Sequence, residues 1–271
     1  MNLKEDKVIG IVGGMGPQAG LSLFNYIINH TKAVTDQQHL SVIVMSFPGH
    51  LTDRTSFLEG ATDVNPAFNI AEVIGKLEHA GAKVAGIACN TSYSPEIYDV
   101  IVDELRKMDS RINLLHMPAE TCDFIRINYP KVCRIGLMAT NGTYRSGIYA
   151  NLLRDRGYEV ILPDPEFQTS VIHRMIYDDK FGIKANPGGI TREVGLLIDQ
   201  ALRFFEEKGT DAIILGCTDL STVFPEKTAR GMLLVDSTEI LARALIRHAT
   251  HHQKKNNANR NTADILPLRD L

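Results

Sequence analysis

The chain has 271 residues, a formal net charge of −3, 44% hydrophobic and 23% charged residues. That near-neutral balance lacks the basic stripe of a nucleic-acid surface, and no apolar run reaches the length of a membrane span, so neither nucleic acid nor membrane is an expected partner. The composition suits a globular protein with a full core, and the length suits two domains of about 110–140 residues. The N-terminus passes from charge straight into a strand-like run with no signal-peptide pattern, and the four cysteines form no CxxC pair. Both observations point to reduced thiols and a cytoplasmic location.

The predicted elements follow in chain order. Residues 8–12 read as a first buried strand. Gly13, Gly14 and Gly16 make a turn after it. Pro17 suits the first position of a helix running to about His30, with Leu21, Phe24, Ile27 and Ile28 on one face. Residues 41–46 form a second buried strand, and 47–66 an irregular segment expected to line something. Residues 67–80 are an amphipathic helix ending at Gly81, and 84–88 the strand that delivers Cys89. Residues 114–116 are a short strand, and Met117-Pro118 marks a crossover between lobes. Strands at 135–138 and 159–162, helices at 168–177 and 190–208, and a strand at 212–216 complete a second lobe. After Pro225 come a short strand at 233–235 and a helix at 237–250 expected to pack back on the first lobe. The domain reading is residues 1–117 plus 225–251 as one α/β lobe, 118–224 as the other, and 252–271 as a polar, Asn-rich tail expected to be disordered. His248, His251 and His252 have metal-like helical spacing, but a solvated helix end explains them as well, and no metal is expected.

Cys89 stands in VAGIACNTSY and Cys217 in AIILGCTDLS. Each follows a short run of small and β-branched apolar residues and is followed by small polar ones, as where a buried parallel strand ends in a site-forming loop. Roughly 80 residues before them stand VIGIVGGMGP and RIGLMATNGT, each a strand running into a glycine turn. Matched order and spacing indicate two copies of one α/β unit. The fold class is therefore α/β, with two pseudo-symmetric lobes, each a mostly parallel sheet flanked by helices, and a site in the cleft between them. Generic strand–turn–helix repetition with cysteines as packing residues is the competing explanation.

Residues 14–19 match the G-x-G-x-x-A form of a dinucleotide fingerprint, but the second strand ends Met45-Ser46-Phe47-Pro48 with no carboxylate to hold a ribose. A better use of Gly13, Gly14, Met15 and Gly16 is to bring backbone N–H groups to an anionic substrate at a helix start.

A thiol at a strand-to-helix turn lies near helical N–H dipoles, which favour thiolate. Neither cysteine has a histidine close in sequence to activate it as a nucleophile. Two equivalent thiols fit proton transfer better: one thiolate removes a proton from carbon and the other thiol donates one to the opposite face. An amino-acid α-proton is a weak acid, so the carbanion needs preorganised donors. Asn90 and Thr91, Thr218, and Thr140, Asn141, Gly142 and Thr143 are placed to supply them. Cys122 and Cys133 lack these settings and read as small packing residues.

Together IGIVGGMGP, ACNT, LMATNGT and LGCT resemble the aspartate/glutamate racemase superfamily, and most of all the aspartate racemases, over about residues 7–248. The resemblance implies two similar α/β lobes across a cleft, no pyridoxal phosphate or other cofactor, Cys89 and Cys217 as the acid/base pair, a small amino-acid substrate and a homodimer. Asp53-Arg54-Thr55 resembles the segment whose arginine grips a substrate carboxylate, which implies Arg54 as side-chain clamp; a surface salt bridge with Asp53 is the alternative. Residues 176–185 resemble a family segment with a lysine before Ala-Gly, matched by Lys184 at the lysine–alanine step and less well by Lys180. Tyr93 stands where many aspartate racemases have histidine, and Asp219 where the family has glutamate; Asp219 could simply cap the following helix. The implied activity is aspartate racemisation. Racemisation of glutamate or other amino acids, a maleate-isomerase-like or decarboxylase-like reaction, and a non-catalytic two-lobe binding protein are the alternatives.

Overall fold

A computed structural model describes residues 8–13 and 15–258, with side chains through 250. In chain order the elements are β1 (Val8–Gly13), α1 (Pro17–His30), β2 (Val42–Ser46), α2 (Arg54–Leu58), α3 (Ala67–His79), β3 (Ala82–Ile87), α4 (Pro95–Lys107), β4 (Asn113–Leu114) and α5 (Met117–Asn128). The second half runs β5 (Arg134–Ala139), α6 (Asn141–Ser146), α7 (Ile148–Arg154), β6 (Glu159–Ile161), α8 (Pro165–Phe167), a π-helical stretch (Gln168–His173), α9 (Arg174–Tyr177), α10 (Arg192–Glu207), β7 (Ala212–Gly216), β8 (Thr228–Ala229), β9 (Met232–Asp236) and α11 (Ser237–Ala258).

Two sheets result, in the orders β2-β1-β3-β4 and β6-β5-β7-β9-β8. Leaving out β8, which pairs antiparallel to β9, the two orders correspond strand for strand and every pairing is parallel. The central strands β1 and β7 are buried along their whole length, as apolar runs covered on both faces must be. The two-lobe α/β architecture read from the repeat is the one observed.

Four expectations change. Residues 225–251 were assigned to the first lobe, yet β8 and β9 extend the second sheet and only α11 crosses over. β9 reads as an apolar run, and its partner is set by the sheet that has an open edge. On α1 the buried stripe is Ala19, Gly20, Leu23 and Ile27, while Leu21 and Ile28 face outward. The helix carries two apolar stripes, and the one with the smaller residues lies against the sheet. β2 was expected to be buried; it is an edge strand paired only to β1, with Val44 exposed. α4 was not foreseen, although Ser94-Pro95 starts it and Ile97, Ile101 and Leu105 give it one buried face. The helix α11 reaches into the segment expected to be tail; residues 259–271 and the side chains of His251 and His252 lie outside the described residues.

The lobes exchange helices. α5 follows β4 of the first lobe but gives Cys122 and Ile125 to a core of the second, beside Ile135, Tyr149 and Leu153. α11 follows β9 of the second lobe but gives Leu241, Leu245 and Ala249 to the core of the first. Leu241 lies flat on β3: a methyl group at Gly86 would stand 2.9 Å from its Cδ2. Among the described residues no helix is long and apolar enough to cross a membrane.

Leu241→Ala should therefore cost about 2–5 kcal/mol of stability, because it empties a fully buried position between helix and strand. The exposed Leu196→Ala should stay within about 0.5 kcal/mol. Urea unfolding of both variants checks the difference.

Candidate active site

The carboxyl ends of the central strands meet at one cavity. From the first lobe come Met15 after β1, Arg54 on α2, and Cys89, Asn90 and Thr91 after β3. From the second come Thr140 after β5, Tyr177 at the end of α9, Lys184, and Gly216, Cys217, Thr218 and Asp219 at the end of β7. The cavity holds about 10 Å³, the room of a single water. The site is closed.

Both cysteines occupy the same structural position. Each has extended backbone and opens a short 3₁₀ turn, Asn90–Tyr93 or Thr218–Thr222. Turns of four and five residues carry little dipole, so local charges decide what the thiols do. Burial, the largest single influence, would raise Cys89, but the Arg54 guanidinium, the Ser92 hydroxyl and N–H, and Lys184 together outweigh it. The Cys89 thiol is thus held below the ordinary thiol range. Cys217 goes the other way: burial and the Asp219 carboxylate push it well above that range, only partly offset by Lys184 and the Asp219 N–H.

Arg54 is placed by a capped turn, with Asp53 accepting from the Ser56 N–H at 2.8 Å. Its Nη1 donates to the Thr52 carbonyl and its Nη2 to the Met15 carbonyl, both at 3.0 Å. Its Nε is buried without a partner. The residue is only 6% exposed, so the surface-salt-bridge reading fails, although Asp53 lies 3.9 Å away. Lys184 sits on a loop that turns back along α9, its N–H donating to the Ile176 carbonyl. Its Nζ is 2.6 Å from Asp219 Oδ2 and 5.2 Å from the Tyr177 ring centre. Burial would lower Lys184; Asp219, Cys217 and Tyr177 together raise it above the ordinary lysine value. Lys180 is exposed.

Sequence reasoning missed Tyr177. Its ring stacks on His173 at 4.6 Å and its hydroxyl donates to Asp53 Oδ2 at 3.0 Å, which ties the second lobe to the first across the cavity. The position was visible only as a tyrosine seven residues before Lys184. Asp219 does not cap its turn; the carboxylate points into the cavity instead.

The polar side chains divide. The hydroxyls of Thr91, Thr140 and Thr143 form a triangle with edges of 3.0, 2.9 and 3.3 Å. Thr91 and Thr140 line the cavity, and Thr143 stands behind them. Gly142 permits this seam, because a methyl group there would stand 2.7 Å from Thr91 Cγ2. The Asn90 amide is already engaged, donating to Ser237 and accepting from Tyr149. Thr218 donates to the Ala88 carbonyl at 3.5 Å. Gly16 and Asn141 are outside the lining: Gly16 starts α1, and Asn141 is held by Thr169, Gln168 and His173 on the flank of the second lobe. Cys122 is buried and pushed up to about 12 by desolvation, as a packing residue would be. Cys133 is exposed, not packed. No group of metal-binding side chains occurs among the described residues.

The Asp/Glu/hydantoin racemase family model matches residues 12–245. The chain is 26% identical over 249 residues to the broad specificity amino-acid racemase RacX of Bacillus subtilis (strain 168), covering 88% of this chain and 96% of that protein. It is similar in structure to the Picrophilus torridus aspartate racemase, with a TM-score of 0.72, 26% identity, and 90% and 94% of the two chains covered. The glutamate racemase of Francisella tularensis subsp. tularensis SCHU S4 shares the fold, with a TM-score of 0.60 at 18% identity over 97% and 90% of the chains. The chain belongs to the Asp/Glu/hydantoin racemase family of isomerases.

Proposed function

We propose that the protein is a cofactor-independent amino-acid racemase that interconverts L- and D-aspartate by proton transfer at Cα between Cys89 and Cys217. One observation carries the reading: two thiols at equivalent strand ends line one cavity, one driven toward thiolate and the other held as thiol. A two-base racemase needs that unequal pair. Cys89 takes the proton of one enantiomer while Cys217 protonates the opposite face; by family resemblance Cys89 acts on the D-form and Cys217 on the L-form. The hydroxyls of Thr91 and Thr140 are placed to receive the α-carboxylate and the charge that develops beside it. Arg54, with a buried and unpartnered Nε, supports a second carboxylate, and Lys184 adds a second cation on the opposite wall. Entry requires the cavity to widen, since it holds one water; the Tyr177–Asp53 hydrogen bond and the Arg145–Glu59 ion pair are among the contacts between the lobes. The reading brings with it a cytoplasmic homodimer. The outward apolar residues Leu21 and Ile28 of α1, near the edge strand β2, support a protein-covered face there.

Incubation with single enantiomers in heavy water, followed by chiral analysis, tests the assignment. Wild type should incorporate deuterium at Cα and yield both enantiomers. Cys89→Ser and Cys217→Ser should each lower racemisation by roughly 10²- to 10⁴-fold with the circular dichroism spectrum unchanged. Near-full activity in either variant contradicts the two-base mechanism.

The directions of the two thiol shifts give the expected pH profile. With D-aspartate as substrate, activity needs Cys89 ionised, so it rises as pH climbs through a value below the usual thiol range. It needs Cys217 protonated, so it falls as pH climbs through a value above that range. The profile of kcat/KM against pH should be a plateau across neutrality, wider than two ordinary thiols near about 8.5 would give, with its limbs belonging to the pair. A narrow bell centred near the ordinary thiol value would contradict the charge assignment.

Arg54 serves both the thiolate and the second carboxylate. Arg54→Ala should lower kcat/KM for aspartate by roughly 30- to 1000-fold, the loss expected when one partner of a buried charge pair is removed. It should also move the acid limb upward, because the guanidinium that favours the Cys89 thiolate is gone. Steady-state kinetics across pH measure both effects, and an unmoved acid limb would show that Arg54 acts on substrate alone.

A further inference from the structure

Asp219 does more than help keep Cys217 protonated. Its Oδ2 lies 2.6 Å from Lys184 Nζ and accepts from the Cys217 thiol at 3.6 Å. Its side chain is 8% exposed and lines the cavity. The cavity thus holds two cations, Arg54 and Lys184, and each already faces an internal anion: Arg54 the Cys89 sulfur, Lys184 the Asp219 carboxylate. An amino acid with a carboxylate side chain brings one net negative charge into this balance. With room for one water, its side-chain carboxylate cannot sit beside Asp219 without meeting a like charge in a closed, low-dielectric space. A neutral side chain, or one that carries a donor, meets no such repulsion and finds an acceptor in place.

Building on the racemase reading, we propose that Asp219 sets the side-chain preference of the site: by holding Lys184 it weakens the grip on aspartate's second carboxylate, which Arg54 still receives, and so lets neutral or donor-bearing side chains compete with aspartate. Specificity then comes from a repulsive element inside the pocket as well as from attraction. The Lys184 ammonium is a clamp that the protein itself occupies, and a dicarboxylate binds by displacing the internal carboxylate.

Two unreactive probes of equal chain length isolate the effect: succinate, with two carboxylates, and butyrate, with one. Calorimetric titration of wild type and Asp219→Asn should show succinate binding at least about 10-fold tighter in the variant, with butyrate within about 2-fold. Asp219→Ser serves the same purpose should the amide variant fail to fold. Unchanged succinate affinity, equal tightening of both probes, or no succinate binding by any of the proteins would overturn the proposal. In the racemisation assay, the ratio of kcat/KM for aspartate to that for serine should rise about 10-fold in Asp219→Asn. A ratio is the right readout, because any effect of Asp219 on Cys217 is common to all substrates and cancels. Should wild type racemise no amino acid, the function proposed above fails, while the succinate titration still decides the role of Asp219.

Discussion

A buried guanidinium must find negative charge, and Arg54 finds it in the Asp53 carboxylate 3.9 Å away and in the Cys89 sulfur. Two carbonyl oxygens take two of its nitrogens, but carbonyls do not neutralise a cation, and desolvating an uncompensated charge is costly. Much of the local architecture follows from that need. The turn capped by Asp53 brings Arg54 inward, the end of β1 supplies Met15 as acceptor, and β3 ends where its cysteine can serve as partner. Once Cys89 carries the charge, Cys217 is pressed to stay protonated, because a second buried thiolate would face both the first and Asp219.

The result is an unequal site on a nearly symmetric scaffold. The sheets correspond strand for strand, and the two cysteines match in backbone conformation and in the turn that each begins. Charge breaks the match: the first lobe offers Arg54, the second a lysine and an aspartate that satisfy each other. For a racemase this inequality carries no directional penalty in kcat/KM, since enantiomers have the same free energy in water and the two directions must agree. It fixes instead which protonation state rests between turnovers.

The scaffold was legible in the sequence because strand-end glycines and cysteines recur in order, and a repeat constrains topology more tightly than any single segment does. The cysteines themselves were legible for the same reason. Arg54 and Lys184 were reached only through resemblance, because nothing local marks a five-residue helix or a returning loop as facing the cleft. Tyr177 and the inward turn of Asp219 depend on the approach of two lobes, which composition and periodicity do not encode. Asn141 and Thr143 show the opposite error: proximity to a strand end placed them in the site, yet one is held by its own lobe's π-helical stretch and the other stands behind the cavity wall. The strands after Pro225 were assigned to the wrong lobe because an apolar five-residue run does not announce which sheet edge is open to it.

The exchange of α5 and α11 has a consequence for how the chain comes apart. A protein with two sheets and two cores would ordinarily have two units that open separately. Here each core borrows a helix from beyond the other's last strand, so loosening one lobe draws Leu241 and Leu245 from the first core or Cys122 and Ile125 from the second. Cutting the chain at the crossover near Met117 would strip α11 from the first half and bare the face of β3 on which Leu241 lies. The two lobes are thereby bound into a single unfolding unit, although their strands never pair across the cleft.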